Sequence, residues 1–139
     1  MTKDFVNTVA MAPKQIVRPT KLELSILRVL WQSGPLPVRE IQNILDAKKP
    51  TGYTTVLKMV QIMTEKGLVE RDESVRPQIY RARYSQEQTQ RHLVRDLLDR
   101  AFGGSVKALV MQALAGKKSS AKEIEEIEKL LDRIEGGSK

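Results

Sequence analysis

The chain has 139 residues, of which 40% are hydrophobic and 29% charged, with no cysteine, one histidine and a formal net charge of +7. That length can bury one modest core, or a small domain with an appended helical module, and the composition excludes disulfides, thiolate metal sites, Fe–S clusters and cysteine nucleophiles. The lone His92 makes neither a histidine metal cluster nor a persuasive Ser-His pair and reads as a surface or groove side chain, so no metal or cofactor is expected. No apolar run approaches the ~20 residues that span a bilayer, and the first residues lack the apolar core of a signal peptide. A cytoplasmic location without membrane insertion is therefore expected.

The positive charge is unevenly placed. Residues 1–85 hold 14 Lys/Arg against 8 Asp/Glu, a net of +6, whereas the remainder holds 10 against 9, a net of +1. An anionic partner would meet the first part of the chain.

Residues 1–19 contain Pro13 and Pro19 and no sustained period, which reads as a flexible arm. Its Lys3, Lys14 and Arg18 can touch phosphate, or the segment is a plain leader. From Thr20, the residues Leu22, Ile26, Leu27, Val29 and Leu30 form a wide apolar stripe that ends near Gly34, predicting a first helix with Trp31 anchoring the core. Pro35 and Pro37 mark a connection into a second helix, in which Val38, Ile41, Ile44 and Leu45 point inward while Arg39 and Gln42 point elsewhere. Asp46-Ala47-Lys48-Lys49-Pro50 then breaks the helix, because Pro50 disfavours its continuation.

The third helix, from Thr51 to Gly67, carries the most information. At about 100° per residue, Val56, Met59, Val60 and Met63 gather on one side; Thr54, Lys58, Gln61 and Glu65 gather opposite, with Leu57 at the polar edge. Thr51 is the expected N-cap, and Gly67 sits where a helix end favours positive φ. Three short helices with such brief breaks predict a helix-turn-helix unit. Leu68–Asp72 and Gln78–Tyr84 alternate around Glu73-Ser74-Val75-Arg76-Pro77, which predicts a hairpin. Leu68, Ile79 and Tyr80 are expected to pack, and Arg76, Arg81 and Arg83 are either phosphate contacts or solvated charges.

Beyond Ser85 only helices are expected. Leu93, Val94, Leu97, Leu98, Ala101 and Phe102 form a stripe stopped by Gly103-Gly104, and Ser105 caps a short helix carrying Val106, Leu109, Val110, Ala113 and Leu114. Ser120-Ala121-Lys122-Glu123 fits a capping box ahead of Ile124, Ile127, Leu130, Leu131 and Ile134. Three narrow helices over residues 86–139 cannot easily bury these stripes among themselves, so a homodimer is expected. Its interface would hold Leu93, Leu97, Leu98, Phe102, Leu109, Val110, Leu114, Ile127, Leu131 and Ile134. The acidic residues of the last helix lie among lysines with no pocket-building sequence around them, and no Gly-rich phosphate loop or metal-ligand spacing occurs. An enzyme is not expected.

The predicted fold is thus mainly α with a small β-hairpin wing: an arm over 1–19, a winged helix-turn-helix DNA-binding domain over 20–85, and a helical dimerisation domain over 86–139. A helix-turn-helix sets its second helix in the major groove of double-stranded DNA, with phosphates gripped around it. Arg39, Thr51, Tyr53, Thr54, Thr55, Leu57, Lys58, Gln61, Arg76 and Arg81 are the candidate DNA contacts. Threonine can bond a base edge or a phosphate, Leu57 can meet thymine methyls, Gln61 can pair with adenine, and Lys58 suits phosphate. Two such helices related by a twofold axis fit a pseudo-palindromic operator. The alternative is a winged-helix adaptor that binds another protein without reading bases.

Several segments also carry a resemblance. Leu22-Glu23-Leu24-Ser25-Ile26-Leu27-Arg28-Val29-Leu30-Trp31, Gly34-Pro35-Leu36-Pro37-Val38-Arg39-Glu40-Ile41, Tyr53-Thr54-Thr55-Val56, Glu65-Lys66-Gly67-Leu68-Val69 and Tyr80-Arg81 lie in the first part. Phe102-Gly103-Gly104-Ser105 and Ala108-Leu109-Val110 extend the likeness toward the final helix. In this order the chain resembles the penicillinase repressor family of bacterial regulators, which includes methicillin-resistance and copper-transport repressors. The resemblance implies an N-terminal winged helix, a C-terminal helical dimerisation domain and repression by promoter occupancy. It also implies one of two release routes: cleavage of the C-terminal part triggered by a membrane-bound sensor peptidase, or metal binding by a cysteine cluster. The absence of cysteine removes the second. The arm before Thr20 is longer than the family pattern requires.

Overall fold

The computed structural model describes residues 18–116 and 120–137, with side chains to Arg133. The expected arm lies largely outside the described residues, Lys3 and Lys14 included, and so does the Ile134 side chain. Along the chain come α1 (Lys21–Ser33), α2 (Val38–Lys48), α3 (Tyr53–Lys66), β1 (Val69–Asp72), β2 (Ile79–Ala82), α4 (Gln86–Ala101), α5 (Val106–Gly116) and α6 (Ala121–Gly137). They divide into two compact units, with the boundary inside α4 between Val94 and Arg95.

α1 begins where Thr20 and Glu23 exchange hydrogen bonds. The Glu23 N–H donates to Thr20 Oγ1 and the Thr20 N–H donates to Glu23 Oε1, satisfying two amides that the helix itself cannot. The apolar stripe then packs: Ile26, Leu27, Val29 and Leu30 of α1 meet Val38 and Ile41 of α2, Val56, Val60 and Met63 of α3, and Leu68, Val69 and Tyr80 of the hairpin in one core. Trp31 is only half-buried at the edge of this core, where its Nε1–H donates to the Tyr84 carbonyl at 2.9 Å. Ile44, expected to point inward, is 37% exposed because it faces an open groove between α1 and α2.

β1 and β2 pair antiparallel in the register Val69↔Ala82, Glu70↔Arg81, Arg71↔Tyr80 and Asp72↔Ile79. On its other side β2 is joined by Leu36, which exchanges both backbone hydrogen bonds with Tyr80 at 2.9 and 3.0 Å. The connection between α1 and α2 therefore holds the wing to the helices through backbone pairing as well as through the buried Tyr80 ring.

In the second unit, and through all of α4 and α5, no described side chain is buried. Serines start these helices: Ser85, Ser105 and Ser120 each accept from a first-turn amide, at 3.0, 3.1 and 3.0 Å. Local rules thus define the helices of this region, while their apolar stripes remain largely uncovered.

Candidate nucleic-acid interface

α3 carries one packed and one offered face, as its periodicity requires. Val56, Val60 and Met63 are buried, Met59 is half-buried, and Thr54, Thr55, Lys58, Gln61 and Glu65 are exposed. Leu57 is half-buried against the core, so only its outer part is offered. From Tyr53 to Gln61 the helix has no acidic residue; the first is Glu65, near the other end. A polyanion approaching the N-terminal two turns meets Lys58, hydroxyls, an amide and the positive end of the helix dipole without like-charge repulsion.

The start of α3 differs from the expected arrangement. Gly52 is the N-cap and no side chain caps the helix. Thr51 is turned to other work, with its hydroxyl donating to the Lys49 carbonyl at 2.7 Å, its N–H donating to Asp46 Oδ1 at 2.9 Å and its carbonyl accepting from Gln42 Nε2 at 3.0 Å. These bonds fix the turn between α2 and α3. They also leave the first-turn amides of α3 without a side-chain acceptor, the arrangement in which a helix N-terminus receives a phosphate oxygen. Asp46 and Gln42 are the residues that sequence reasoning missed; a carboxylate and an amide just before a proline-containing break were the available signal.

Arg39, from the first turn of α2, lies over the Tyr53 ring with its guanidinium carbon 4.1 Å from the ring centroid. This stack brings a cation to the α3 N-terminus and restrains an aromatic ring that is itself exposed. The far end of α3 is anchored differently. Lys66 Nζ lies 2.9 and 3.2 Å from the two carboxylate oxygens of the fully buried Glu23, so α1 holds the last turn of α3. Gly67 then takes φ +81°, a left-handed conformation open to glycine, and directs the chain into the hairpin.

The wing arginines have separate fates. Arg76 is exposed in the turn between β1 and β2, with no ion pair among the described residues. Arg81 faces its cross-strand neighbour Glu70, its Nε and a terminal nitrogen 3.1 and 3.0 Å from Glu70 Oε1, so its charge is already engaged. Arg83 lies over Tyr84, with 5.3 Å from guanidinium carbon to ring centroid. In the same turn, two hydrogen bonds from Ser74, first from its hydroxyl and then from its N–H, hold the Asp72 carboxyl below the ordinary carboxylate value.

The structure therefore brings Arg39, Thr51, Tyr53, Thr54, Thr55, Leu57, Lys58 and Gln61 together at the N-terminal end and along the stretch of α3 before Glu65, and sets Arg76 and Arg81 on the wing. A sequence model of the penicillinase repressor family matches residues 19–133. The chain belongs to the penicillinase repressor family. It is also similar to the penicillinase repressor of Staphylococcus aureus, at 23% identity over 124 residues, covering 89% of this chain and 98% of that relative. Membership makes it a DNA-binding transcriptional repressor rather than an enzyme, and removes the ground for an adaptor that never meets DNA. Among the described residues, no helix is long and apolar enough to cross a membrane.

Proposed function

We propose that this repressor works as a cytoplasmic homodimer that presents two α3 helices to a pseudo-palindromic operator. The polar face of α3, free of acidic residues from Tyr53 to Gln61, mounted on a buried face and pinned at both ends, carries the proposal. In this arrangement Thr54, Thr55, Leu57 and Gln61 meet base edges. Lys58, Arg39, Arg76 and the free amides at the start of α3 hold phosphates, while Arg81 reaches phosphate only by sharing its charge with Glu70. The twofold axis would set the half-sites about one helical turn, roughly 34 Å, apart or at a multiple of it.

Support for the homodimer comes from apolar side chains that the single chain leaves open. Val94, Leu97, Val106, Met111, Leu114, Ile124, Leu130 and Leu131 are exposed, and Leu93, Leu98, Phe102, Leu109, Val110 and Ile127 are only half-covered. Stripes of this extent mark an interaction surface. For release, the family pattern offers cleavage within the C-terminal part triggered by a membrane-bound sensor peptidase, and a chain without cysteine has no thiolate alternative.

A fluorescence anisotropy titration with duplex from the gene's upstream region tests the DNA side. Binding at least ~1,000-fold tighter than to scrambled duplex at equal salt is expected; equal affinity for both would refute operator reading. Sedimentation equilibrium tests the assembly, since a chain that stays monomeric at micromolar concentration cannot work as the proposed dimer.

A further inference from the structure

The first unit contains a second site that neither the DNA-facing helix nor the apolar stripes of the second unit use. Between α1 and α2 lies a groove of about 420 Å³, within the roughly 300–1,000 Å³ typical of small-molecule clefts. Its floor is apolar, formed by Leu22 and Val29 of α1 and by Ile44 and Leu45 of α2. Its polar lining includes four cations, Lys21 and Arg28 from α1 and Lys48 and Lys49 from the end of α2, and no carboxylate. None of these four cations is in an ion pair among the described residues, although the same unit pairs Lys66 with Glu23, Arg71 with Glu73 and Arg81 with Glu70.

Apolar surface and unneutralised positive charge at one opening call for a ligand with the complementary division. An apolar body would cover Ile44, whose outer face has no packing partner, and an anionic head would meet the lysines and Arg28. We propose that this groove binds a small amphipathic anion, a carboxylate or phosphate monoester on a medium-length hydrocarbon body, and that its occupancy weakens operator binding.

The coupling rests on the DNA reading given above and has a short physical route. Thr51 lines the groove, and its backbone N–H and carbonyl are the groups held by Asp46 and Gln42 in the turn that starts α3. Lys48 and Lys49 lead directly into the same turn. A bound anion would neutralise cations beside the end of α3 that faces the DNA polyanion, lowering the local potential there. By linkage, operator DNA would weaken the ligand by the same factor.

The test uses full-length protein with methyl-labelled Ile, Leu and Val, titrated without DNA with decanoate below its micelle-forming concentration. Saturable shifts at Ile44, Leu22 and Leu45 are expected, together with at least ~10-fold weaker binding in Arg28→Glu and in the groove-filling Ile44→Trp. Neutral decanol should bind at least ~10-fold more weakly than decanoate. In a parallel anisotropy titration, saturating decanoate should weaken operator affinity at least ~5-fold in the native protein and leave that of Ile44→Trp unchanged. Shifts that do not saturate, that map outside the groove, or that survive both substitutions overturn the site. A response to phosphatidylglycerol vesicles with none to decanoate overturns the free ligand in favour of a lipid surface. Saturable binding with unaltered operator affinity overturns the coupling. Because the methyl titration contains no DNA, its failure leaves operator reading intact, and failure of operator reading leaves the methyl result readable.

Discussion

The helices of the first unit and those of the second treat similar apolar stripes in opposite ways. In α1, α2 and α3 the stripes converge with the hairpin, so that Ile26, Ile41, Val56 and Met63 lose all solvent contact. In α6 the periodicity is as regular, yet Leu131 is 49% exposed, and in the more uniformly apolar α5 Val106 is 59% exposed. The first unit closes its own core within one chain, whereas the second presents surface that a second copy would cover. On the proposed homodimer, the reading head would fold independently of concentration, whereas completion of the pairing region would depend on it.

Substitution in the first core gives the largest expected effect. Ile41→Ala should cost roughly 2–5 kcal/mol in urea unfolding, as a buried aliphatic side chain is lost and a cavity remains, with the same loss at low and high protein concentration. A loss that shrank as concentration rose would erase the contrast between the units.

The pair Leu97→Glu and Leu131→Glu comes next. Together they should weaken dimerisation at least ~100-fold by sedimentation, about 3 kcal/mol, while the unfolding of the first unit is unchanged. A dimer of undiminished strength would show that these exposed stripes are not the pairing surface.

Smaller again is Lys66→Met, which leaves the Glu23 carboxylate buried with only the Thr20 amide as partner. A cost of about 1–3 kcal/mol is expected in urea unfolding, with operator affinity lowered beyond what the loss of one charge explains, because the C-terminal end of α3 is released. If unfolding is unaffected, the ion pair does not hold α3 to α1.

The smallest effect concerns the wing turn. Ser74 lowers the Asp72 pKa, so the stabilisation from this pair is fully present above the ordinary carboxylate value of 3.8 and is lost as pH falls through the lowered one. In an NMR titration of the Asp72 carboxyl, Ser74→Ala should move the midpoint up toward the ordinary value. An unmoved midpoint would deny Ser74 that role.

The parts legible in the sequence were those set by local periodicity and by one-residue conformational rules. The spacing of Val56, Val60 and Met63 told which side of α3 packs, and Gly67 told where the helix ends, because neither depends on distant partners. What escaped was decided by pairing across the chain. Leu36 meets Tyr80, Glu23 meets Lys66 and Arg81 meets Glu70 only once helix packing and hairpin register bring them together. Thr51 has a good capping side chain, yet the turn engages its hydroxyl with Lys49 and passes the N-cap position to Gly52. Ile44 has core spacing, but its outer face is left open, so a residue expected to face inward became the wall of an open groove.

The central claim is that the polar face of α3 reads sequence while the second unit pairs the chains. Its most direct test is the affinity ratio between operator and scrambled duplex for the double substitution Thr54→Ala and Gln61→Ala, measured with the dimer mass verified in the same sample. The account predicts that the ratio falls at least ~30-fold, through loss of operator affinity, while binding to scrambled duplex and the dimer are retained. An unchanged ratio would contradict it and place base reading elsewhere on the molecule.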